Sequence, residues 1–201
     1  MVNKMTIPAE LLNLLNTNKG IITNKQAGEI GFSRERLRLL ANMGDLERMA
    51  AGVYISPDAL PDKMYIEQIR KPKIVFSHET ALFLHDLTDR DPLKYSVTVP
   101  QGYNTSVLIS NGFDVFTIKQ ELYELGVVPT KTVFGNTVRT YSLERTICDC
   151  VRSRNKMDIA LVTDALKRYS RRKDKNLHLL MEYAELFRVT KPLRNYMEVL
   201  L

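Results

Sequence analysis

The sequence predicts an α+β protein in two parts: a small N-terminal helical unit closed by a hairpin, then a larger domain with a mostly antiparallel sheet and C-terminal helices. Three observations lead there. Residues 23–55 read as two short helices, a tight turn and two short strands. Ser56–Asp62 holds two prolines in seven residues, and proline interrupts both helix and ladder. Between Tyr95 and Tyr141 apolar and polar residues alternate with β-branched enrichment, whereas the chain after Ser142 follows the helical period. A length of 201 residues also exceeds one typical domain of ~100–150 residues. We therefore expect domains at 1–58 and 63–201.

In chain order, Pro8 opens a helix in its first turn, with Leu11, Leu12 and Leu15 as its apolar stripe. Ile21-Ile22 reads as a short strand. Thr23 with Gln26 three residues later fits a capping box. Ala27 and Ile30 give that helix an inner face, and Gly31 stops it. Ser33 caps the next helix, Arg34 to Met43, which ends at Gly44. At about 100° per residue, Leu37, Leu40 and Ala41 share one side of it and Arg34, Glu35, Arg38 and Asn42 fall mostly opposite. Leu39 fits neither face. Strands 45–49 and 52–56 then form a hairpin with Arg48 near its tip.

That order is a winged helix-turn-helix, in which the second helix enters the DNA major groove with its N-terminal residues nearest the bases. Arginine pairs in bidentate fashion with guanine or holds a phosphate. The candidate DNA contacts are Thr23, Lys25, Ser33, Arg34, Arg36, Arg38 and Arg48. Residues two apart do not share a helix face, so Arg36 is expected to flank the groove. The competing reading is a small core whose arginines are merely solvated.

In the second domain, Met64–Arg70 reads as a helix and Ile74–Phe76 as a strand. Ser77 caps a helix through Leu87. Tyr95–Pro100 and Phe113–Ile118 are strands, and Lys131–Phe134 with Thr137–Tyr141 form a hairpin around Gly135-Asn136. Helices follow at 142–151, 157–169, 176–187 and 191–201.

Net charge is +6, of which residues 1–60 carry +1, 61–140 carry 0 and 141–201 carry +5. A basic excess favours nucleic acid or another acidic partner. Lys167, Arg168, Arg171, Arg172 and Lys173 crowd the end of one helix. Cations suit a helix C-terminus, but this number exceeds what capping needs, so they form a possible second basic contact. No apolar run approaches the ~20 residues of a membrane span, and residues 1–8 lack the apolar core of a signal peptide. The expected location is the cytoplasm.

Catalytic signatures are missing. There is no glycine-rich phosphate loop, nucleophile elbow or Cys/His cluster. Cys148 and Cys150 read as buried free thiols. His78 and His85, seven apart beside Glu79 and Asp86, read as polar helix-face histidines rather than metal ligands. Asp86, Asp89 and Asp91 invite comparison with a metal-dependent nuclease, but aspartates in such a loop commonly shape turns. No catalytic residue, metal or cofactor is expected.

Five segments together resemble the AbiEi antitoxin family: Gly44–Arg48, Gly52–Tyr54, Ser77–Leu87, Tyr95–Pro100 and Ser142–Asp149. The resemblance covers about residues 5–201, and the order of the motifs is more specific than any one of them. It implies the antitoxin of an abortive-infection, type IV toxin–antitoxin system. It further implies a winged helix that binds inverted repeats in its own promoter and represses the operon. The C-terminal domain would then oppose a nucleotidyltransferase-like toxin, usually without a stable complex. The segment Glu144–Asp149 matches a family helix; Arg145 and Asp149, four apart, are placed for an ion pair on one face. The alternative is a protein-interaction module that binds an acidic partner through the basic C-terminal helices.

Overall fold

The structure, a computed structural model, describes residues 7–200. The chain divides into two compact units, Met1–Ile66 and Glu67–Leu201.

The first unit runs α1 (Ala9–Thr17), β1 (Ile21–Thr23), α2 (Asn24–Glu29), α3 (Arg34–Asn42), β2 (Glu47–Ala50) and β3 (Val53–Ile55). Helix α4 (Lys63–Arg70) carries the chain across the division. The proline-bearing segment 56–62, where the sequence places the domain boundary, therefore lies within the first unit.

The capping box at Thr23 is present. The Gln26 amide donates to Thr23 Oγ1 (3.2 Å), and the Gln26 side chain accepts from the Thr23 amide (2.9 Å). Ser33 likewise caps α3, accepting from the Arg36 amide (3.3 Å). The strands form an antiparallel sheet in the order β1-β3-β2, with a bulge between Arg48 and Ala50. The core gathers Leu11, Leu15, Phe32, Leu37, Leu40 and Tyr54. Leu12 is exposed, because a step of one residue turns it about 100° away from the Leu11/Leu15 line. Gly20 permits the turn into β1: its φ is +82°, and a Cβ there would lie 2.4 Å from Ala59 Cβ.

The second unit contains β4 (Val75–Phe76), α5 (His78–Leu84), β5 (Ser96–Pro100), α6 (Ser106–Ser110), β6 (Asp114–Ile118), α7 (Gln120–Tyr123), β7 (Val127–Lys131) and β8 (Thr137–Tyr141). Four helices follow: α8 (Leu143–Arg152), α9 (Ile159–Arg171), α10 (Leu177–Leu186) and α11 (Thr190–Leu200). The sheet order is β6-β5-β4-β8-β7.

This sheet is mixed rather than mostly antiparallel. β5 pairs with β6 and β4 with β8 in parallel, while β4–β5 and β7–β8 are antiparallel. Parallel neighbours need a crossover, and α6 lies on the one between β5 and β6. The hairpin also differs. Its first strand is Val127–Lys131, and Thr132–Asn136 form the connection, closed by Thr132 N–H to Asn136 O (2.8 Å). Val133 is consequently 77% exposed.

Helix α8 is the centre of this unit. Every residue from Glu144 to Val151 is buried, and α8 packs against α5, α9, α10 and α11. Fully buried Arg145 donates through Nε to Asp149 Oδ2 (2.9 Å), so the expected ion pair is present. Its Nη1 donates to the carbonyls of Leu122 (3.0 Å) and Leu125 (2.7 Å). The guanidinium lies 4.0 Å from the Tyr141 ring centre and 4.2 Å from that of Phe187. Glu144 accepts from Tyr169 Oη (3.1 Å) and the Asn176 amide (3.0 Å), tying α8 to α9 and to the start of α10.

Candidate nucleic-acid interface

Helix α3 has the two faces its sequence demands. Leu37 and Leu40 are fully buried, and Arg34, Glu35, Arg38, Leu39 and Asn42 are exposed. Leu39, 45% exposed, resolves an ambiguity of the wheel: it stands on the outer face among polar residues. The Ser33 cap presents the first turn with its amides partly free. Arg34 and Arg38, one turn apart, have no ion-pair partner among the described residues. Arg36 is different: its guanidinium stacks 5.0 Å from the Phe32 ring centre, which holds it at the flank. The Glu35 carboxyl is held below its ordinary pKa, first by its backbone hydrogen bond and then by Ser33. It therefore stays ionised and cuts the local positive charge.

The remaining candidates divide by how committed they are. Lys25 on α2 and Arg48 on β2 are exposed. Arg48 pairs across the ladder with Tyr54, just before the bulge. The Thr23 hydroxyl is spent on the capping box, so its part is to orient α2. Gly52, with φ +74°, closes the hairpin; its carbonyl accepts from the Asn24 amide (2.9 Å), and this docks the hairpin connection on the start of α2.

The basic cluster of the second unit is less available than its sequence implies. Arg168 donates to both oxygens of Asp89 (3.0 and 2.5 Å) and to Asp164 (2.9 Å). Arg172 forks onto Asp174 (2.8 and 2.7 Å) and donates to the His85 carbonyl (2.9 Å). Lys175 caps the carbonyls of Ser170 and Arg172. Lys167, Arg171 and Lys173 remain exposed. The pairing of Arg168 with Asp89, 79 positions away, has no local sequence signal.

His78 and His85, expected on a polar helix face, are instead turned inward and engaged. His78 is fully buried, with Nδ1 3.0 Å from Ser77 Oγ and Nε2 3.0 Å from Ser153 Oγ. Its ring stacks on Phe116 at 3.4 Å. Ser77 thus spends its hydroxyl on His78 and Thr98 instead of capping α5. Burial drives the His78 pKa down to about 4, so the ring is neutral near pH 7. His85 bonds the Tyr141 carbonyl (2.6 Å). A cleft of about 440 Å³ opens beside His78, with Glu79, Asp114, Lys156 and Asp158 in its lining. Burial raises the Glu79 pKa, and the neighbouring Asp114 adds to this.

No protein-family model matches this chain, and a comparison with characterised protein sequences gives no match. Among solved structures, the chain is similar to the Rv2827c protein from Mycobacterium tuberculosis. The TM-score is 0.58 at 12% identity, over 95% of this chain and 79% of that one. The likeness supports the α+β fold across both units. Among the described residues no helix is long and apolar enough to cross a membrane.

Proposed function

We propose that this protein is a DNA-binding autorepressor whose first unit is a winged helix-turn-helix. In this reading α3 is the recognition helix and β2–β3 the wing. The observation that carries it is the outer face of α3, where Arg34 and Arg38 are exposed one turn apart behind a capped N-terminus, without an ion-pair partner among the described residues. A groove-reading helix uses two such cations on guanine edges and phosphates. Lys25 and Arg48 supply flanking phosphate contacts, and Lys167, Arg171 and Lys173 of the second unit add to the electrostatic term. Arg168 and Arg172 drop out of that role because their charges are spent internally.

The resemblance to AbiEi antitoxins extends the proposal. The DNA is then the inverted repeats of the protein's own promoter. The second unit opposes a nucleotidyltransferase-like toxin in the cytoplasm without a stable complex, and the chain is not an enzyme.

The test is duplex binding by the full chain, on DNA from just upstream of its own gene and on unrelated DNA. Arg34→Ala and Arg38→Ala are each expected to cost about 1–3 kcal/mol on the upstream site and little on unrelated DNA. The triple change of Lys167, Arg171 and Lys173 to Ala is expected to weaken both alike and to flatten the salt dependence. Equal loss on both DNAs for the α3 variants contradicts a reading role for α3. The second reading, docking of an acidic protein, draws on the same three exposed cations. It would appear as co-purification of a partner without DNA, lost in the triple variant.

A further inference from the structure

We propose that a second site, a basic cleft between the ends of β6, α8 and α10, binds a small phosphate-bearing ligand of the nucleoside polyphosphate class. This goes beyond the DNA reading, because the cleft lies wholly in the second unit and needs no duplex. Its volume is about 380 Å³, within the range of small-molecule sites. Lys119, Arg152 and Arg188 line it, and among the described residues no carboxylate does. Gln101 and Thr117 add hydrogen-bonding side chains, and Leu122 and Leu186 add apolar wall.

Two of the three cations are positioned in ways that a solvated surface does not require. Arg152 Nη2 lies 2.9 Å from Oδ1 of the fully buried Asp149, and its guanidinium sits 5.3 Å from the Phe187 ring centre. The fork is therefore oriented before any ligand arrives, while its side chain is still 31% exposed. Arg188 occupies the left-handed cap of α10, with φ +57°. Its amide donates to Glu185 O (3.0 Å), and the Val189 amide donates to Ala184 O (2.8 Å). Helices usually give that position to glycine, since a Cβ there is strained. Strain held at one residue is a reason to ask what its side chain does. Here the side chain lines the cleft, with no ion-pair partner among the described residues.

Lys119 completes the set. It lies 3.6 Å from Glu121, but both side chains are 70% exposed, and such a pair holds its members weakly. Arg188 has no carboxylate partner among the described residues, and Asp149 and Glu121 offset Arg152 and Lys119 only in part, so the cleft keeps a positive excess. A di- or triphosphate carries enough charge to engage all three at once. The leucine wall gives the attached nucleoside an apolar surface to cover.

The test is calorimetric titration of the full chain, free of metal, with inorganic pyrophosphate and with each of the four common ribonucleoside triphosphates. Saturable one-site binding is expected, tighter for at least one nucleotide than for pyrophosphate. Arg188→Gly is the informative variant, because glycine relaxes the cap: the melting temperature should hold or rise while affinity falls about tenfold or more. Lys119→Ala, at an exposed position, should also weaken binding. The proposal is overturned by absence of saturable nucleotide binding at millimolar concentration, or by unchanged affinity in both variants. It is equally overturned if pyrophosphate binds as tightly as every nucleotide, which removes the nucleoside from the site. Loss of duplex DNA binding in Arg188→Gly, with no nucleotide bound by the parent chain, assigns the cleft to the DNA backbone and likewise ends the proposal.

Discussion

Arg145 donates to Asp149 in its own helix and to two carbonyls after α7, and its guanidinium lies between the Tyr141 and Phe187 rings. Removing one member of a buried charge pair costs about 3–5 kcal/mol when the other is left uncompensated; here Asp149 keeps the partly exposed Arg152, so the loss belongs at the lower end of that range. Arg145→Ala is expected to lose that order of stability in urea unfolding. Arg145→Lys should recover only part of it, because an ammonium has neither the fork nor the stacking face. An Ala variant of unchanged unfolding midpoint would remove Arg145 from the centre of the unit. His78 gives the pH dependence. Its folded pKa is about 4 against an ordinary 6.5, so between those values the unfolded chain binds the extra proton. The stability tied to neutral His78 is full above about pH 6.5 and falls away as pH drops towards 4, by about 3 kcal/mol at 1.36 per unit. A His78→Gln variant should show a flatter stability profile across that window. A profile as steep as the parent's would place the titration elsewhere.

The capping box at Thr23, the Ser33 cap and the glycines Gly31 and Gly44 that follow α2 and α3 are readable, because each depends on a few neighbouring residues. Thr23→Ala should cost about 0.5–2 kcal/mol through the lost cap. Gly52→Ala should also destabilise: the new Cβ would meet Asn24 Nδ2 at 3.0 Å in a backbone of φ +74°. A thermal melt of either variant at the parent's temperature would contradict this account of the hairpin's docking. The Arg145–Asp149 pair was readable for the same local reason. What escaped reading depends on distant partners. Gly135-Asn136 marks a turn, but pairing of β7 with β8 decides which residues are strand, and the ladder selected Val127–Lys131. The parallel pairings of β4 and β5 carry no pattern within a single strand. Helices α6 and α7 are too short to show a period. Ser77 looks like a cap until Thr98 and His78 compete for its hydroxyl.

Across the whole chain the charge is uneven. The first 60 residues carry +1 and the last 61 carry +5, yet the formal excess overstates the cations on offer. Arg168 and Arg172 answer Asp89, Asp164 and Asp174 inside the second unit. Arg145 is buried, and Arg152 is half-committed to Asp149. Sequence could supply the count; only the fold shows which charges remain free. On α3 it leaves Arg34 and Arg38, so the DNA reading rests on few, well-placed contacts and should be strongly site-selective at physiological salt. The most direct measurement is a salt titration of full-chain binding to the duplex upstream of its own gene, beside an unrelated duplex of equal length. A preference for the upstream duplex is expected to persist as salt rises and the non-specific term fades. Equal affinities for both duplexes at every salt concentration would contradict it.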